Sequence, residues 1–184
     1  MLYCRDRTCC LRGQEDLPPW EEQNVRTRMR HRLMPLIWDR VDFFGVGGGR
    51  GYELMAAEYL LKVRDEFKRN IRIISVLPYP EYREEWPEED FRRQEEILRR
   101  SDKVVFACPA KTADAWQIRD RKLLEESGFC ICYCRRADGR IAGFIREARQ
   151  CGMTVYNACS WDLRQLGRQK NRTDDYGRRI RLNG

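Results

Sequence analysis

The segment with the most chemical content is Phe43-Phe44-Gly45-Val46-Gly47-Gly48-Gly49-Arg50-Gly51-Tyr52-Glu53. An apolar run leads into four glycines in five residues, and a helical pattern follows. Glycine lets the backbone come close to a ligand and adopt positive φ. The start of the following helix offers unpaired N–H groups and a partial positive charge, which suits a phosphate. Gly47, Gly48, Gly49 and Gly51 are therefore candidate phosphate contacts, and Arg50 is a candidate partner for its charge. No Gly-Lys-Ser/Thr follows, and the last glycine of Gly-x-Gly-x-x-Gly is missing, so neither common nucleotide fingerprint is met. Glu53 sits in the first turn of that helix. There it either complements the helix dipole or presents a carboxylate to ribose hydroxyls or as a general base.

Other candidates are scattered. Trp86, in Glu84-Glu85-Trp86-Pro87, either stacks on a base or covers the core. Arg119 falls within a charged helical pattern, where a solvent-facing side chain is the ordinary outcome and a phosphate partner the functional one. His31 is the only histidine, which leaves histidine-based catalysis almost no material. The nine cysteines include Cys130-x-Cys132-x-Cys134. Zinc sites favour wider spacers at turns, so these read as buried free thiols sharing one face of a strand. No metal and no cofactor is expected.

The elements that must position these residues follow from periodicity. Apolar runs at 8–11, 41–46, 71–77, 103–108, 129–134 and 153–157 read as strands. Helical patterns at 21–38, 53–67, 88–100, 112–126 and 141–150 separate them. Pro35 is expected to kink or end the first helix, and Gly152 stands where a helix-closing glycine belongs. Such alternation predicts an α/β fold, a Rossmann-like three-layer α/β/α sandwich with a mainly parallel sheet of about six strands. Ligands in such sheets bind beyond the carboxyl ends of the strands, where strand order reverses.

Bulk properties narrow the function classes. A chain of 184 residues fits one domain. No apolar run approaches the roughly 20 residues of a membrane span. An odd cysteine count without a leader-like segment makes a reducing cytoplasm the expected compartment. Residues 164–184 hold seven basic and two acidic residues, a net +5 of the chain's +7, so residues 1–163 carry +2. Residues 1–160 are therefore expected to form the domain and 161–184 a basic, flexible tail. That tail is the one candidate for nucleic-acid contact, since no aromatic–basic stacking platform is apparent elsewhere. A homodimer is compatible with the chain, but no apolar stripe specifies it.

The ordered motifs resemble the small stand-alone YpsA-like branch of the SLOG superfamily, named for its SMF/DprA and Lonely Guy members, over residues 8–157. Cys9-Cys10-Leu11-Arg12-Gly13-Gln14-Glu15 keeps the family's first-strand glycine and lacks its His-Arg pair. Gly47 to Glu53 and Ala56-Ala57-Glu58 fit its second turn and helix, and Leu77-Pro78 with Trp86 its third. Ser101-Asp102 precedes the fourth strand as in the family. Arg119-Asp120 stands where the family has Arg-Asn, and Gly139-Arg140-Ile141-Ala142-Gly143 is a degraded second glycine loop. The resemblance implies a pocket for a nucleotide-derived small molecule and adds Gly13, Gln14, Asp120 and Gly139 to the candidate ligand contacts.

Relatives implied by the resemblance are of three kinds. Lonely Guy enzymes cleave the N-glycosidic bond of nucleoside monophosphates, sensor domains bind ADP-ribose-type signals, and the DNA-processing branch binds single-stranded DNA. This chain lacks the Lonely Guy loop, and no effector region is expected beside the domain. The expectation is a non-catalytic binder, sensing or sequestering an ADP-ribose-like molecule, such as a phage-type sponge of an anti-phage immune signal. The alternatives are a nucleoside-phosphate N-glycosidase, with Glu53 as its catalytic residue, and a single-stranded DNA binder.

Overall fold

The computed structural model describes residues 5–67 and 70–159. The basic segment 161–184 lies outside the described residues. Six strands, β1 (Thr8–Gly13), β2 (Phe43–Val46), β3 (Arg72–Leu77), β4 (Lys103–Phe106), β5 (Phe129–Tyr133) and β6 (Thr154–Asn157), form one sheet. Five helices alternate with them: α1 (Pro19–Trp38), α2 (Tyr52–Phe67), α3 (Glu88–Arg100), α4 (Ala115–Glu126) and α5 (Gly139–Gln150). All neighbouring strands pair parallel, in the order β4-β3-β2-β1-β5-β6. This is the Rossmann-like three-layer arrangement that the alternation predicts.

Strand alternation sorts the side chains between the two layers of helices. Cys9, Leu11, Phe44, Val46, Ile73, Ile131 and Tyr133 face α1, α2 and α3. Cys10, Val76, Cys130 and Cys132 face α4 and α5. Central strands buried on both faces read as continuous apolar runs, and β1 is buried at all six positions. The cysteines that the structure describes are free thiols. Burial pushes the Cys9 and Cys10 thiols up, so they stay protonated. Among the described residues no group of three or more His, Cys, Asp or Glu is placed to hold a metal ion, and no helix is long and apolar enough to cross a membrane.

Two readings that the sequence left open are decided. Pro35 does not end α1, which runs on to Trp38. Leu33, Leu36 and Ile37 are buried, and that packing holds the last turn despite the missing hydrogen bond. Arg119 is fully buried rather than solvent-facing.

The chain leaves β1 and builds β2, β3 and β4 outward on one side. It then crosses to β5 and β6 on the other side. Strand order therefore reverses between β1 and β5, and the carboxyl ends of these two strands, at Gly13 and Tyr133, flank the crevice.

Candidate functional site

Two structures stand at the carboxyl edge of the sheet, and they differ in kind. The first surrounds the β2–α2 glycine turn. Glu53, 2% exposed, accepts the Gly13 amide at 3.3 Å on Oε1 and the Gly49 amide at 2.7 Å on Oε2. Its Oε1 is also paired with Arg12, and Arg119 Nη1 lies 3.6 Å from Oε2. Arg12 reaches Asp120 at 3.0 Å, Arg119 Nε reaches Asp120 at 2.8 Å, and Arg119 Nη1 donates to the Gly47 carbonyl. Two guanidiniums and two carboxylates thus form a neutral quartet. Burial pushes Arg12 down to about 9, aided by the nearby Arg119 charge and opposed by Asp120. Arg119 is lowered as well, by burial first and against Asp120. Charges taken out of water in this way hold only while their partners remain.

The glycines of this turn are packed by the protein itself. Gly48 has φ +72°, and a Cβ there would lie 2.9 Å from the Tyr82 hydroxyl. Gly51 has φ +60°, and a Cβ there would run into the backbone of Glu15. The Tyr52 amide donates to the Gln14 carbonyl at 3.3 Å. Gly13 admits no Cβ because the Tyr52 ring occupies that space. Arg50, at the outer edge, pairs with Asp90 at 2.7 Å. The turn is a joint that locks the ends of β1, β2 and α4 together.

The second structure is open. A cleft of about 430 Å³ lies at the switch point, lined by Gly13, Gln14, Glu15 and Asp16 after β1 and by Arg136, Asp138, Gly139, Arg140 and Ile141 after β5. It ends on the first turn of α5, whose N-cap residue Asp138 makes no side-chain capping bond, so first-turn amides remain unclaimed by it. Gly139 has φ +84°, and a Cβ there would have nothing within 4 Å of it, so the backbone angle, not crowding, calls for glycine here. Gln14 fixes the wall: its amide donates to the Tyr133 carbonyl at 3.0 Å and its Oε1 accepts the Arg135 amide at 2.7 Å. Arg136 bridges to Asp16 at 2.6 Å across the rim. The Arg140 guanidinium stacks over Trp116, 4.6 Å from its ring centroid, and makes no ion pair among the described residues.

Trp86 stands elsewhere. It packs edge-on against Tyr82, with ring centroids 5.5 Å apart. It lines a cleft of about 370 Å³ with Tyr79 and Glu81, Glu84 and Glu85. That cleft shares no lining residue with the switch-point cleft, and its carboxylates would repel a phosphate. Of the candidates named from sequence, Gly13, Gln14 and Gly139 therefore line the open cleft. Gly47, Gly49, Glu53, Arg119 and Asp120 form the closed joint, Gly48 and Gly51 are packed against it, and Arg50 and Trp86 lie apart. Sequence reasoning missed Arg12, Asp16, Arg136 and Arg140. Arg12 had a usable signal: a lone charge at the end of an apolar strand must find a buried partner.

A parallel sheet with helices on both faces and an open crevice at its strand switch defines a Rossmann-like α/β domain. The comparisons place it further: the YpsA model, described as the YspA SLOG family, matches residues 20–157. The chain belongs to that family. It is 22% identical over 147 residues to a UPF0398 protein of Bacillus licheniformis, covering 76% of this chain and 80% of that protein. A UPF0398 protein of Bacillus pumilus is 25% identical over 129 residues, covering 68% and 69%. DNA processing protein A from Streptococcus pneumoniae superposes with a TM-score of 0.58 at 13% identity, over 88% of this chain. The Helicobacter pylori protein of that name, described for its single-stranded DNA binding mode, superposes with a TM-score of 0.58 at 15% identity over 85%. This chain spans 56% and 66% of those two structures.

Proposed function

We propose that this protein binds a nucleotide-derived small molecule without cleaving it, in the cleft between the ends of β1 and β5. One observation carries the reading: unclaimed amides at the start of α5 and the unpaired Arg140 guanidinium meet in an open crevice at the strand switch. A phosphate there gains both the helix terminus and a charge-assisted hydrogen bond. The lining holds three carboxylates, Glu15, Asp16 and Asp138, against two guanidiniums. A bare polyanion fits that balance poorly. A phosphate on the α5 side with ribose hydroxyls donating to the carboxylates fits it well. The volume falls within the roughly 300–1,000 Å³ of small-molecule sites.

Non-catalytic binding is favoured because Glu53, the carboxylate a glycosidase would need, is enclosed by Arg12, Arg119 and two backbone amides. Sequestration of an ADP-ribose-type signal is the specific role we assign, resting on the family resemblance and on the enclosure of Glu53 away from the open cleft. Thermal melts against AMP, ADP, ADP-ribose, NAD and cyclic dinucleotides, followed by chromatography of the ligand, test it. A ligand at 100 times its Kd stabilises by about 2.7 kcal/mol. A shift with intact ligand supports binding, release of free base replaces it with the glycosidase, and failure of every ADP-ribose derivative to bind below micromolar concentration removes the sequestration role.

The basic segment 164–184 supports a second reading, single-stranded DNA binding. Deleting it should abolish a steeply salt-dependent DNA affinity while leaving nucleotide binding in the cleft unchanged.

A further inference from the structure

We infer that the ligand continues past Arg140 into a second subsite between α4 and α5, so that the site takes a two-part nucleotide. Its phosphate-bearing half occupies the switch-point cleft and a hydroxyl-rich, uncharged half occupies the groove beyond. This rests on the reading of the first cleft given above.

The groove encloses about 270 Å³. Gln117, Asp120 and Arg121 of α4 line one side, and Gly143, Phe144 and Glu147 of α5 the other. Arg140 lines both this groove and the switch-point cleft. Trp116 holds its guanidinium at that junction, while Arg119 lies 4.9 Å from the same ring centroid. The groove falls just short of the roughly 300 Å³ at which small-molecule sites begin, so its size suits an extension of the neighbouring site.

Gly143 is the telling residue. It lies inside α5, where glycine is a poor helix former. Its φ is not positive, so the backbone does not require it. A Cβ there would meet only the far end of Arg146, at 4.0 Å, so the packing does not require it either. What its missing side chain leaves is open space beside Phe144 and Glu147, at the wall of the groove.

The chemistry around that space is specific. The side chains of Gln117, Arg121 and Glu147 make no hydrogen bond or ion pair among the described residues. Glu147 accepts hydrogen bonds from sugar hydroxyls or an exocyclic amine, and Gln117 and Arg121 donate to hydroxyl oxygens, while Asp120 is already held by Arg12 and Arg119. With two carboxylates, Asp120 and Glu147, against two guanidiniums, Arg121 and Arg140, the lining is balanced and suits an uncharged, hydroxyl-rich group. Phe144 supplies an apolar surface.

The test compares ADP with ADP-ribose, which differ only by the terminal ribose, by calorimetric titration of the full chain and of Gly143→Leu, with Gly143→Ala as a smaller step. Leucine is the better helix former, and a melt confirms that the variant is folded. The native chain should bind ADP-ribose at least about ten-fold more tightly than ADP. Gly143→Leu should erase that advantage while the ADP Kd stays within about two-fold, and Gly143→Ala should fall between. Equal native affinities, or an unchanged ratio in Gly143→Leu, overturn the second subsite and leave the first cleft standing. Binding of neither nucleotide overturns both.

Discussion

The β2–α2 turn and the β5–α5 turn both carry glycines at the carboxyl edge of the sheet, yet they serve opposite ends. In the first, Gly47, Gly48 and Gly51 let Arg119, Tyr82 and Glu15 come close, and Glu53 is drawn into a buried quartet. In the second, Gly139 turns the chain beside open space and Arg140 stays unpaired. A glycine-rich turn is therefore not a ligand site by composition. It allows close approach, and the tertiary structure determines whether a ligand or the protein makes that approach.

Substitutions at five positions test this contrast. Glu53→Ala should be the most damaging, because it leaves two buried guanidiniums with one carboxylate. Losing one partner of a buried pair costs about 3–5 kcal/mol, which for a chain of this size lowers Tm by roughly 10 °C. A melt within a few degrees of the native protein would show that the quartet does not hold the turn. Next come the paired variants Gly51→Ala and Gly139→Ala. Strained backbone costs of order 1–3 kcal/mol. Gly51→Ala should lie at the top of that range or above it, since its methyl also meets the Glu15 backbone, and Gly139→Ala at the bottom. Urea unfolding measures both, and equal losses would erase the distinction between closed and open turns.

Arg140→Ala should change stability by less than about 1 kcal/mol. It should nevertheless weaken nucleotide binding by roughly 10- to 100-fold, the worth of a hydrogen bond to a charged group. Calorimetric titration reads this directly, and an unchanged Kd would move the phosphate elsewhere. Arg50→Ala should do least. Its pair with Asp90 is partly exposed, and such pairs are worth about 0–1 kcal/mol. Nucleotide affinity should not change, and a marked loss would restore the glycine turn as the ligand contact.

Much of the architecture is legible in the residues. The six apolar runs and five helical patterns correspond to the six strands and five helices, with ends shifted by a few positions. The alternation of Cys130 and Cys132 places both on one face, as the strand period requires. The site is less legible. Gly13, Gln14 and Gly139 line the cleft, whereas Glu53 and Arg119 proved to be partners of each other. Spacing along the chain does not report that Arg12 and Asp120, 108 residues apart, are in contact.

Composition and periodicity by themselves determined a parallel α/β sheet with its turns at the carboxyl edge, because hydrophobic burial and strand geometry act locally and repeat. Only the tertiary structure decided which turn stayed open. A charge on a helix or at a strand end reads the same in sequence whether it meets water or a distant carboxylate. The choice was made when the crossing from β4 to β5 brought α4 beneath the glycine turn, buried Arg119 against Glu53, and left the start of α5 free beside β1.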